Sequence, residues 1–153
     1  MSEHVIGAHN GLHSELGALR GEHPGRSANP IIKVQDVGWL EFEKPDLARA
    51  EAFAAAFGFT TALRTPDELH LRGADPGAPC VLIRRGPRSR FVGPAFVAAE
   101  QSDLLRLADA TGGTIRPLPE TLGGVAVELV DPSGLALRVV SGTHRLEALP
   151  AQE

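Results

Sequence analysis

His70 is the one histidine in the part of the chain that reads as folded, and it alternates with Leu69 and Leu71 in a strand-like run. A histidine there can contact a substrate or serve as a lone metal ligand. The plainer expectation is a partly exposed strand residue with a backbone partner. His4, His9, His13 and His23 lie at spacings of 5, 4 and 10 residues. That gives one i,i+4 pair in a segment with no fold around it, so a solvated tail explains them better than a metal site. Glu41, Glu43 and Glu128 could supply a carboxylate pair for proton transfer. Solvent-face positions explain them more simply, although Glu41 shares a strand face with Trp39. Cys80 has no His or Lys close in sequence to make it a thiolate, and reads as an inert buried cysteine. Arg84, Arg85, Arg88 and Arg90 form a basic run that could bind an anion; a solvated loop is the simpler expectation.

These residues must be positioned by a pattern that occurs twice. The first copy opens at Val37-Gly38-Trp39-Leu40-Glu41-Phe42, the second at Phe91-Val92-Gly93-Pro94-Ala95-Phe96. Each apolar strand leads to an Asp-Leu pair, Asp46-Leu47 or Asp103-Leu104, that opens an Ala/Leu-rich helix. Each helix stops at glycine, Gly58 or Gly112-Gly113. Ile31 to Glu43 reads as the first strand, with Val37, Trp39, Glu41 and Glu43 on one face. In the first helix Leu47, Ala50, Ala54 and Phe57 form an apolar stripe with Phe53 beside it. Strands are expected over Phe59 to Leu63, Glu68 to Arg72 and Cys80 to Arg84. The second half repeats the order: Phe91 to Ala99, a helix from Ser102 to Ala110 capped by Ser102, then Thr114 to Pro117, Val125 to Val130 and Leu135 to Val140. Asp131-Pro132-Ser133-Gly134 fits a type I turn.

The reading is an α+β fold of two βαβββ modules, about 34–88 and 89–142, forming a single domain over 34–142. Residues 1–33 read as a flexible tail in which Leu12 to Arg20 could form a short helix. Residues 143–153 look like a linker-like C-terminal tail. Each module leaves one sheet face bare, so two modules together can cover each other or enclose a ligand cleft. The chain has 153 residues, 42% hydrophobic residues and net charge -4. Mixed charges give no footprint for nucleic acid or a membrane. One cysteine points to a cytoplasmic setting, and no apolar run approaches the ~20 residues of a membrane span.

The strand opening, the Pro45-Asp46-Leu47 helix start, Phe57-Gly58-Phe59 and Asp131-Pro132-Ser133-Gly134 together resemble the vicinal oxygen chelate superfamily. That superfamily includes glyoxalase I, bleomycin-resistance proteins and extradiol ring-cleaving dioxygenases, and the resemblance spans about Val34 to Gly142. Within it the chain is most similar to the N-terminal domain of two-domain extradiol (catechol 2,3-type) dioxygenases. Three stretches carry this: Val37-Gly38-Trp39-Leu40, His70-Leu71-Arg72-Gly73 with Cys80 to Gly86, and Ser141-Gly142 through Leu149-Pro150.

The resemblance implies four inward strand positions where metal-binding members place ligands. Here they fall at Trp39, Leu82, Gly93 and Arg138, none of them a ligand type for Fe(II). It therefore implies no metal or cofactor in this chain, with Fe(II) in a second domain of the parent enzyme. The expected function is the non-catalytic N-terminal half of an extradiol dioxygenase that cleaves an aromatic diol with O2, inactive alone. Its expected partner is that missing C-terminal catalytic domain, or further copies of itself. The alternative is a free-standing, metal-independent protein like bleomycin-resistance proteins, binding a small aromatic ligand. Trp39, Glu41, His70 and Arg138 would then line the cleft, with Phe42 or Phe96 beside Trp39 and Arg138 pairing an anionic group.

Overall fold

A computed structural model describes residues 29–150; the N-terminal histidines and the helix expected over Leu12 to Arg20 lie outside these. The elements are β1 (Val34–Lys44), α1 (Leu47–Ala56), β2 (Thr60–Arg64), β3 (Glu68–Arg72), β4 (Val81–Arg85), β5 (Arg90–Ala98), α2 (Gln101–Thr111), β6 (Ile115–Pro117), β7 (Val125–Val130) and β8 (Ala136–Ser141). The expected βαβββ order thus occurs twice. The strands form one sheet in the order β2-β3-β4-β1-β5-β8-β7-β6. Within each module the first and last strands pair in parallel, β1 with β4 and β5 with β8. The modules join through antiparallel β1 and β5. Leu40 faces Pro94, its own counterpart in the repeat, so a local two-fold axis passes through that pair.

Local chemistry explains the helices. α1 contains no β-branched residue and six alanines, which favours helix. The Asp46 carboxylate accepts from the Arg49 amide at 2.9 Å, as an N-cap. Gly58, at φ 90°, turns the chain away after the C-cap Phe57. Leu47 and Ala54 are buried against Leu69, Leu71 and Ile83. The expected stripe stops there: Phe57 is 71% exposed and Phe53 67%. Phe57 lies beyond the last helical turn, and the two rings rest on each other at 4.9 Å. The cap of α2 is Glu100, two residues before the expected Ser102. Asp103 accepts the Glu100 amide at 3.2 Å in a capping box, and the Ser102 hydroxyl donates to Glu100.

Alternation along the strands sends side chains into three clusters. Leu47, Ala54, Leu69, Leu71 and Ile83 fill the space under α1. Ala98, Leu104, Leu107, Val127 and Val139 do the same under α2, with Ile32 packed against them. Ile32 therefore joins the domain ahead of β1. On the opposite face Trp39, Leu82, Ala95, Leu122, Ala126 and Val140 form the third cluster. Neighbours such as Leu82 and Ile83, or Val139 and Val140, belong to opposite faces, so both helices share one side of the sheet.

The turn at Asp131 forms as expected: the Gly134 amide donates to the Asp131 carbonyl at 2.9 Å. The Ser133 hydroxyl, then the Leu135 amide, hold the Asp131 carboxyl below its usual pKa. The stretch read as linker-like is tied to the domain. Leu146 and Gly77 exchange backbone hydrogen bonds, the Leu149 amide donates to Ala74, and the Arg72 guanidinium donates to the Glu147 carbonyl. It thereby connects the end of β8 with the β3–β4 loop of the other module.

Gly93 permits the close pairing of β5 with β8 inside the second module. A Cβ there would lie 1.7 Å from the Ala136 carbonyl oxygen in β8, so any side chain forces β5 and β8 apart. Gly93→Ala is expected to lower stability by about 3 kcal/mol. Gly134→Ala, at φ +89° but with nothing within 4 Å, is expected to lose only about 1 kcal/mol. Urea unfolding of the two variants checks the contrast.

Candidate functional site

Lateral partners in a sheet point to the same side, which assembles the helix-free face row by row. His70 pairs with Leu82 across β3 and β4, and Leu82 with Glu41 across β4 and β1. Trp39 pairs with Ala95, Ala95 with Arg138, and Arg138 with Glu128. Glu68 and Arg84 are a further pair one step along β3 and β4.

Glu41 stands in the middle of this face and is only 4% exposed. Arg138 reaches its Oε2 through Nη1 at 2.7 Å, and Arg84 reaches its Oε1 through Nε at 3.2 Å. Arg138 Nε also donates to Glu128 at 2.9 Å. Arg84 lies 3.9 Å from Glu68, whose other oxygen is 3.6 Å from His70 Nε2. A chain of charged groups drawn from five strands, Glu128, Arg138, Glu41, Arg84 and Glu68, ends at His70. Burial, more than any neighbour, pushes the His70 pKa below 6.5; Glu68 opposes this, Arg84 adds to it, and Glu41 opposes it. His70 is therefore neutral at pH 7.

These donors do not fit a divalent cation. The central carboxylate is already shared by two guanidiniums, which stay charged at every accessible pH, and a metal ion beside Glu41 would meet both. Among the described residues no group of three or more His, Cys, Asp or Glu is placed to hold a metal. The electrostatics instead suit a closed lock in which each guanidinium is held between two carboxylates.

The other half of the face is apolar. Trp39 is 1% exposed beneath Leu122, with Ala95, Ala126 and Val140 around it. Leu122 comes from the β6–β7 loop, which the His144 amide ties down by donating to the Leu122 carbonyl at 2.8 Å. The Trp39 indole Nε1–H, enclosed in this apolar cluster, has no hydrogen-bond partner, an arrangement that costs about 1–3 kcal/mol.

Trp39, Glu41, His70 and Arg138 do share one face, as cleft lining requires, but not as free groups. Glu41 is buried in an ion-pair lock, where a solvent-face position was the simpler expectation. His70 is 4% exposed rather than partly exposed, and its ring faces Glu68 rather than a backbone group. Phe42 lies on the helix side, against Phe91 at 5.2 Å, and cannot line a cleft with Trp39. The basic run is mostly committed: Arg84 to Glu41, Arg85 to Asp67, Arg90 to Glu43. The half-buried Cys80 thiol faces the Leu71 carbonyl at 3.6 Å. Glu68 and Arg84 are the members of the lock that residue types alone did not single out for this face. Strand period was the available signal, since Glu68 is two residues from His70 and Arg84 two from Leu82.

No protein-family model matches the chain, and no curated protein matches it. Solved structures do. The Mn(II)-bound glyoxalase from Novosphingobium aromaticivorans superposes with a TM-score of 0.66 and 22% identity, over 80% of this chain and 43% of that one. Homoprotocatechuate 2,3-dioxygenase from Arthrobacter globiformis gives 0.69 and 18%, over 80% and 41%. The H200Q variant of the Brevibacterium fuscum enzyme named for the same reaction gives 0.69 and 18%, over 83% and 38%. The architecture is the vicinal oxygen chelate fold shared by glyoxalases and extradiol dioxygenases. The chain spans about two fifths of the length of these proteins.

Glu41→Gln leaves two guanidiniums facing a neutral amide and is expected to lower stability by about 2–3 kcal/mol, Arg84 being partly solvated. Glu128→Gln, at a carboxylate whose side chain is 62% exposed, is expected to lose less than about 1 kcal/mol. Denaturant unfolding of both checks this. A pH series tests His70. Its folded pKa lies below the unfolded value, so the unfolded chain binds the proton first as pH falls through 6.5. The wild type should therefore lose stability relative to His70→Gln between pH 7.5 and the folded pKa, and a parallel decline would contradict a buried neutral imidazole.

Proposed function

We propose that this chain is the non-catalytic N-terminal half of an extradiol ring-cleaving dioxygenase of the catechol 2,3 type. The parent enzyme would cleave an aromatic diol with O2 at Fe(II) held in a second domain. The observation that carries this reading is Glu41 clamped between Arg84 and Arg138. The face on which metal-binding members of the superfamily gather their ligands is occupied by its own ion pairs. The likeness to homoprotocatechuate 2,3-dioxygenases, over about two fifths of their length, supports the assignment to half of such an enzyme.

In this reading the domain is a scaffold. Its partner is the catalytic domain, or further copies in an oligomer, and the lone cysteine suits a cytoplasmic enzyme. The chemistry that Fe(II) supplies, joining a diol and O2, belongs to the partner domain. This chain's residues hold the sheet rigid: Glu41 ties β1 to β8, and the segment around Leu146 ties the two modules together. The reading as a free-standing binding protein loses support on this face. Trp39 is covered by Leu122, and Arg138 already has two carboxylate partners.

The test is metal content after anaerobic incubation with Fe(II), alongside a catechol ring-cleavage assay read by yellow product. Neither bound iron nor product is expected from the 153-residue chain. Stoichiometric iron with turnover would overturn the proposal and require Glu41 to leave its guanidinium partners.

A further inference from the structure

The helix side of the sheet carries a groove that the ion-pair lock does not touch. It arises because α1 packs over β2, β3 and β4 and leaves the outer face of β1 uncovered. Leu40 on that face is 38% exposed. The cavity measures about 750 Å³, within the range of roughly 300–1,000 Å³ typical of small-molecule sites. Its floor reaches the core at Leu71 and Ile83, and four of the six phenylalanines, Phe42, Phe53, Phe57 and Phe59, wall it. A floor at that depth suits an inserted molecule better than a flat protein surface.

The groove is also polar at one end only. Lys44 and Arg49 line it beside the N-terminus of α1. Neither forms an ion pair with any described residue, nor does Arg88, next to the lining residue Ser89. The one carboxylate there, Asp46, is engaged as the helix cap. The opposite end, at Phe57 and Phe59, carries no charge. α1 has ten residues, so the groove runs about 15 Å alongside it.

The geometry points to a binding site on the helix side for an elongated apolar monocarboxylate whose acid group meets Lys44 and Arg49 and whose body lies among the phenylalanines. The site lies on the face opposite Glu41 and does not depend on the function proposed above. Burying an apolar body there removes the exposed Phe53 and Phe57 surface from water, and the unpaired cations supply the selectivity for an anionic end.

Isothermal titration of the full chain with dodecanoate, below its micelle concentration, tests this, with dodecanol as the uncharged control. One dodecanoate should bind per chain. Lys44→Glu with Arg49→Glu should weaken dodecanoate at least tenfold and leave dodecanol unchanged. Phe53→Ser, at an exposed position that does not endanger folding, should weaken both. Thermal unfolding of each variant verifies that it is folded. No saturable binding by a folded wild type, or equal loss for both ligands on charge reversal, would overturn the site. So would light scattering that shows a dimer dissociated by Phe53→Ser, because a second copy would then fill the groove.

Discussion

The Glu41 carboxylate, held by Arg138 and Arg84, is the constraint around which the sheet is organised. Arg138 belongs to one module and Glu41 to the other, so the contact crosses the seam between β1 and β5. A carboxylate that is almost wholly buried is tolerable only with its charge met. Two guanidiniums do this, and each is steadied in turn by a surface-side glutamate, Glu128 or Glu68. Such a network adds little net stability over an apolar core. Its effect is on register: slipping β1 by one residue would turn Glu41 toward the helices and strand both arginines.

The repeat makes the asymmetry of this arrangement visible. The strand pairings align Glu41 with Ala95, Leu82 with Arg138, Arg84 with Val140, and Glu68 with Ala126. Four of the charges in the lock thus correspond to an apolar residue in the other module, and the fifth, Glu128, corresponds to His70. Trp39 likewise corresponds to Gly93, opposite Glu41. One half of the helix-free face is thus a dry cluster under Leu122 and the other a polar chain ending at His70. A two-fold architecture has been filled in two chemically different ways.

The two faces of the sheet have correspondingly different characters. The helix-free face is internally satisfied, apart from the Trp39 indole N–H. The helix side is less complete, because α1 is short and sits to one side, leaving β1 and several phenylalanines at the surface.

Much of this was legible in the chain. The paired βαβββ order, the helix stops at Gly58 and Gly112, and the Asp131 turn all follow from local rules of periodicity and backbone freedom, which act within a few residues. Strand period also placed Trp39 and Glu41 on one face. The partners of Glu41 were not legible, since Arg84 and Arg138 are 43 and 97 positions away and meet it only once β1, β4, β5 and β8 are laid side by side. The same holds for His70, whose burial depends on the strands flanking β3, and for Phe53 and Phe57, whose helical spacing suggests a core that α1 does not reach. Local sequence determined which elements form; the tertiary pairing alone decided which charges meet and which aromatic rings stay exposed, because those contacts join residues far apart in the chain.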